Sequence, residues 1–165
     1  MHKRAMRTFI LFFIVGVVSS FLLTPTVAIA EQQASDSSVH VYVTHDPTES
    51  IFDNLSESER SWYGSSLEFS GTHIGSKRYY DGNNIGIEMR CYQTGTYPCD
   101  THFSVELHRS NYIWEDTYIG SAAFNRSGFT KATWTNVGGG TYFFKFVKCN
   151  DNMTVRARNV AMYSW

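Results

Sequence analysis

The stretch Ile85–Leu107 reads IGIEMRCYQTGTYPCDTHFSVEL, and apolar side chains recur at every second position on both sides of a Thr-Gly-Thr tip. Ile85, Ile87 and Met89 alternate with Gly86, Glu88 and Arg90. Phe103, Val105 and Leu107 alternate with Ser104, Glu106 and His108. A period of two is the mark of a strand with one buried face. If the chain folds back on Gly95, Ile87 lies opposite Phe103 and Ile85 opposite Val105 on the apolar face. Arg90 then meets Asp100 and Glu88 meets His102 on the other face. Each charge pair contributes at most about 1 kcal/mol, but two together favour this register. Cys91 falls opposite Cys99 on the apolar side, which predicts a disulfide closing a short loop and contributing about 2–3 kcal/mol.

Two other uses of that cysteine pair fit less well. Redox catalysis favours Cys-x-x-Cys at a helix start, where the dipole lowers the thiol pKa. Structural zinc calls for four ligands at short spacings. The pair therefore reads as a structural clamp, with no metal. Cys149 is left as a free thiol, or as a route to a disulfide-linked dimer. The pairings 91–149 and 99–149 stay open on the sequence alone.

Working outward, Leu67 and Phe69 flank Glu68, Tyr112–Trp114 and Tyr118-Ile119 form short runs, and Ala132 and Trp134 follow Gly128. Tyr142, Phe144 and Phe146 alternate with Phe143, Lys145 and Val147. In the last run, Val155 and Ala157 share one face, and then the phase flips to Val160 and Met162. Such a flip predicts a bulge near Arg158-Asn159. Turn residues separate the runs at Asp81-Gly82, Gly138-Gly139-Gly140 and Asn150-Asp151-Asn152. No helical period extends over ten residues. Residues 66–165 are thus expected to form an all-β domain, an antiparallel, jelly-roll-like β-sandwich of about eight strands.

The first thirty residues are of another kind. Lys3, Arg4 and Arg7 precede an apolar run from Phe9 to Leu23, and Ala28-Ile29-Ala30 follows. That is the layout of a secretory signal peptide over residues 1–30. The apolar run is short for a bilayer span, so no membrane association is expected after its removal. Cleavage leaves 11 basic against 15 acidic residues, a net −4, which argues against nucleic acid as a partner. Residues 31–65 read as an acidic, Ser-rich arm or linker. Within it, Val39, Val41 and Val43 suggest a short strand, and Ile51, Leu55 and Trp62 a short helix starting near Thr48.

Candidate chemistry is sparse. There is no Gly-x-Ser-x-Gly elbow, no phosphate loop and no His-Glu-x-x-His. His102, Ser104, Glu106 and His108 share one face of a strand. With Glu88 opposite His102, they make a His/Glu cluster suited to general acid–base work, as in a small hydrolase or nuclease. A solvated polar sheet face is the plainer reading. Asp81–Asn84 and Asn150–Asn152 offer oxygens to calcium and are also good turns. Tyr79, Tyr80, Tyr92, Phe143, Tyr163 and Trp165 fall on outer faces or in loops by parity, where flat rings stack on sugars or pack at protein interfaces.

The stretches Gly75–Met89 (GSKRYYDGNNIGIEM), Thr133–Lys148 (TWTNVGGGTYFFKFVK) and Asn159–Trp165 (NVAMYSW) resemble small secreted proteins of Gram-positive bacteria and their prophages. The likeness covers roughly residues 66–165 and implies a secreted, β-rich protein. That family has no assigned activity, so no site residue is carried over from it. The acidic arm and the Cys91/Cys99 pair depart from it. The expectation is a secreted, extracellular, non-enzymatic sandwich without a cofactor, binding a glycan, a cell-envelope surface or a protein. A hydrolase built on the His/Glu cluster and an antagonist of neighbouring cells are the alternatives.

Overall fold

The computed structural model describes residues 38–51, 60–95, 98–111 and 115–165, with the backbone alone for 60–65. Residues 1–30, expected to be a signal peptide, lie outside the described residues, as do Leu55 and the run Tyr112–Trp114. Among the described residues there are ten strands: β1 His40–Thr44, β2 Arg60–Phe69, β3 Thr72–Ile74, β4 Arg78–Tyr80, β5 Ile85–Thr94, β6 His102–Arg109, β7 Thr117–Asn125, β8 Gly128–Thr135, β9 Gly140–Val147 and β10 Thr154–Ser164. They form two antiparallel sheets. Sheet A has the order β1-β8-β5-β10-β2, and sheet B the order β3-β9-β6-β7 with β4 also on β9. The two sheets make the expected β-sandwich.

The alternation seen in the sequence chooses the buried face of each strand. Sheet A turns Ile85, Ile87, Met89, Trp134, Val155 and Val160 inward, and sheet B turns Phe103, Val105, Leu107, Phe124, Phe144 and Phe146 inward. Aromatic rings close the space between the sheets. Trp134 meets Phe144 at 5.6 Å, and Phe69 meets Phe103 at 5.2 Å and Phe146 at 5.6 Å. The predicted bulge is present. The register of β10 on β5 shifts between Arg158 and Ala161, where Asn159 takes a left-handed φ of 52°.

The hairpin on Gly95 is not formed. β5 pairs with β8 and β10, whereas β6 pairs with β7 and β9 in the other sheet. The chain between them crosses the sandwich. Parity tells which face of a strand is buried, but two inward-facing strands can either pair in one sheet or face each other across the core. Arg90 accordingly lies beside Phe129 and Arg158, not Asp100, and Glu88 lies beside Lys131 and Ala161, not His102.

The cysteines follow this correction. Cys91 is fully buried in the core and free, and burial pushes its thiol up to about 12. The disulfide joins Cys99 to Cys149, with Cα atoms 6.4 Å apart. Cys149 is therefore neither a free thiol nor available to link a dimer. Its partner comes from the loop that crosses between the sheets, a connection the hairpin register had not allowed for.

The acidic arm is partly structure. β1 extends sheet A at one edge by pairing with β8, and β2 closes the other edge on β10. The sandwich thus reaches back before residue 66. Pro47–Glu49 is a single 3₁₀ turn capped by Asp46, whose Oδ1 accepts from Thr48 N at 2.9 Å. Trp62 belongs to β2, not to a helix. Beyond the turn, Ser50 Oγ and Ile51 N donate to the Glu88 carboxylate on the outer side of sheet A. That carboxylate is only 1% exposed.

Close packing on this outer face yields a prediction. A Cβ on Gly86 would come within 2.2 Å of the Tyr163 ring. Gly86→Ala should cost about 1–3 kcal/mol through overpacking. Gly71→Ala, with nothing within 4 Å of the added carbon, serves as the control. Urea midpoints of the two variants check this.

Candidate ligand-binding site

β6 places His102, Ser104, Glu106 and His108 on the outer face of sheet B, alternating with its buried residues. His108 Nε2 lies 2.9 Å from Glu106 Oε2, and Lys145 Nζ donates to the same oxygen at 3.1 Å. Burial pushes Glu106 up, but the hydrogen bonds from His108 and Lys145 outweigh it and hold the carboxyl below its usual range. His108 is stacked on Phe143 at 5.2 Å and meets the edge of Tyr118 at 5.6 Å. The Lys77 ammonium sits 5.5 Å from the Phe143 ring centre and is paired with Asp116 at 3.2 Å.

The expected acid–base set is not brought together. His102 and His108 are six residues apart on one strand, about 20 Å. His102 Nδ1 is instead 2.9 Å from Thr101 Oγ1. Glu88 belongs to the other sheet, beneath the strap of residues 50 and 51. What remains is Glu106, an ionised carboxylate held between two basic side chains. It provides a fixed negative charge on the sheet face.

Next to that trio the same face opens into a shallow cavity of about 340 Å³. Ser104, Ser121, Ala123 and Val147 are among the residues that line it, and so are Asp100, His102, Lys148 and Cys149. The register explains the hollow. Ser104 stands beside Ala123 on β7 and Val147 on β9, while Ser121 stands beside Glu106. Small side chains thus occupy adjoining positions on three strands between larger polar neighbours. The hydroxyls of Ser104 and Ser121 make no hydrogen bond among the described residues. On β7, about 10 Å from Ser121 by strand rise, Tyr118 projects with 55% of its surface exposed.

The six aromatic candidates do not converge. Tyr79, Tyr92 and Trp165 are exposed, and Tyr80, Phe143 and Tyr163 are buried. Tyr80 turns into the core against Tyr142. Phe143 does face outward but is covered by Lys77. Tyr163 lies over Gly86 and stacks on Trp165 at 5.4 Å. The parity count could not see these coverings. Of the exposed three, Tyr79 belongs to sheet B, while Tyr92 and Trp165 stand toward opposite ends of sheet A.

Two features were missed in the sequence. In the sequence Tyr118 stands out only as part of a short run, although the Gly120–Ala123 stretch after it is unusually rich in small residues and marks the trough. The other is a buried charge cluster. Arg126 is 1% exposed and pairs with Asp151, which also pairs with Lys148. The guanidinium further donates to His102 O and lies 2.9 Å from Cys149 Sγ.

Both calcium-like turns serve the fold. Asp151 is occupied by those cations, and Asn83 and Asn84 donate their backbone N–H groups to Trp165 O at 3.0 Å. Among the described residues, Cys99, Cys149 and Asp151 alone have the spacing of metal ligands. The two sulfurs are bonded to each other and two cations abut the carboxylate, so the group does not fit a metal ion.

No family model matches the chain, and no curated protein matches it. Among solved structures, the chain is similar to TmCBM61, determined in complex with β-1,4-galactotriose, at 8% identity and a TM-score of 0.37. That alignment covers 77% of this chain and 87% of the other. FLHE aligns at 12% identity and a TM-score of 0.18, covering 78% of this chain and 99% of the other.

Proposed function

We propose that this protein is a secreted, non-enzymatic β-sandwich that binds a neutral glycan along the outer face of sheet B. The observation that carries the reading is the trough lined in part by Ser104, Ser121, Ala123 and Val147. It is open to solvent, and it offers two hydroxyls with no hydrogen-bond partner among the described residues. A sugar chain presents hydroxyls and flat C–H faces, so hydroxyl donors in a trough beside a projecting ring suit it. The bound carboxylate of Glu106 would accept from a sugar hydroxyl without titrating near neutral pH.

Affinity electrophoresis through gels containing soluble neutral polysaccharides (galactan, xylan, mannan or glucan) tests this. Retardation by at least one of them is expected. Ser104→Leu fills the trough and should abolish retardation, and Tyr118→Ala should weaken binding by about 3–10-fold, the worth of one aromatic contact. Retardation by none of the polymers, or equal retardation of Ser104→Leu, would defeat the proposal.

A further inference from the structure

We infer a second binding site of different chemistry on the outer face of sheet A, formed by Arg90 and Arg158, for the carboxylates of an acidic polysaccharide. It does not depend on the neutral-glycan reading of sheet B. Arg158 on β10 stands directly beside Arg90 on β5. Both alternate with buried core residues, and both are exposed. Like charges placed directly opposite each other on neighbouring strands destabilise a sheet.

The neighbouring groups do not relieve that repulsion. Arg156, two positions before Arg158, has its own carboxylate, Glu68, at 3.0 Å. Glu88, two positions before Arg90, is engaged by Ser50 and Ile51. Among the described residues, neither Arg90 nor Arg158 has a carboxylate within ion-pair distance. The chain as a whole carries a net charge of −1, so this pair is a local reversal of sign.

The pair is also positioned. The Arg158 guanidinium lies 5.6 Å from the ring centre of Tyr92, which is itself 47% exposed. A cation over an aromatic face is held without losing its edge N–H donors. The bulge that follows Arg158, with Asn159 at φ 52°, ends the regular pairing there. Two planar forks side by side match carboxylates, which guanidinium groups bind bidentately. Both guanidinium groups stand on an exposed sheet face. Successive charges along a polymer would engage both arginines where a lone anion would not be retained.

Polygalacturonate, its neutral counterpart galactan, free galacturonate, inorganic phosphate and duplex DNA are the probes, each titrated against the full chain by calorimetry. Polygalacturonate should bind, with affinity falling as salt rises. Arg90→Gln and Arg158→Gln should each weaken it about 10-fold or more, the usual worth of a charge-assisted contact. Both variants should melt at or slightly above the parent temperature, because a like-charge pair has been removed. Tyr118→Ala should leave polygalacturonate binding unchanged, which separates this site from that on sheet B. Absence of polygalacturonate binding, undiminished binding in either arginine variant, or equal affinity for phosphate or DNA would overturn the inference.

Discussion

Asp151→Asn is expected to lower the melting temperature by roughly 10–20 °C, the response of a small domain to uncompensated buried charge. In the native protein this carboxylate receives both Lys148 and Arg126, whose side chains are buried around it. It also accepts the backbone N–H groups of Met153 and Cys99. Neutralising it leaves two cations out of water with no counter-charge. The same contacts, those from Lys148 first and then Arg126, hold the Asp151 carboxyl well below the usual carboxylate range. A folded-state pKa below the unfolded one stabilises the protein above the unfolded value, about 3.9. That stabilisation is lost as pH falls through the folded value. The parent should therefore lose stability as pH falls below about 4, and the variant should lack this component. Melting curves at pH 7 and at successive steps below pH 4 check both statements. Equal melting of parent and variant at pH 7 would be contrary to the account.

Reduction of the protein should have an effect of similar size. The Cys99–Cys149 bridge closes a loop with a sequence separation of 50. By chain entropy such a closure is worth about 4 kcal/mol. It also pins the crossing loop against the last turn, where Arg126 packs on the sulfur of Cys149. Cys149→Ser and treatment with reductant should shift the denaturant midpoint by the same amount, and the two should not add. Cys91 should stay silent to thiol reagents until the chain unfolds, because it lies within the core and burial raises its pKa. A Cys91→Ala variant that still responds fully to reductant would agree with this. If Cys149→Ser left the midpoint unmoved, the bridge would lie elsewhere.

The alternation of Ile85–Met89, of Phe103–Leu107 and of Tyr142–Phe146 was enough to recognise a sandwich and assign its inward residues. The phase flip in the last strand located the bulge at Arg158. Pairing was not legible, because a period of two is the same whether neighbours lie in one sheet or across the core. The charge matches Arg90–Asp100 and Glu88–His102 were therefore coincidences of parity, and Cys91 was matched to the wrong partner with them. The site suffered for a related reason. Outer-face aromatics were identified by parity, but whether a ring is covered depends on Lys77 over Phe143 or Tyr163 over Gly86, contacts between distant parts of the chain. The trough needed small residues from β6, β7 and β9 to adjoin, and no local window contains all three.

The central claim is that the outer face of sheet B receives the ligand. It is tested most directly by amide chemical-shift mapping with an oligosaccharide cut from a neutral polysaccharide that retards the protein. The account predicts perturbations clustered at Ser104, Glu106, Tyr118, Ser121, Ala123 and Val147, with sheet A unmoved. Perturbations confined to sheet A or to the loops, or none with any such oligosaccharide, would contradict it.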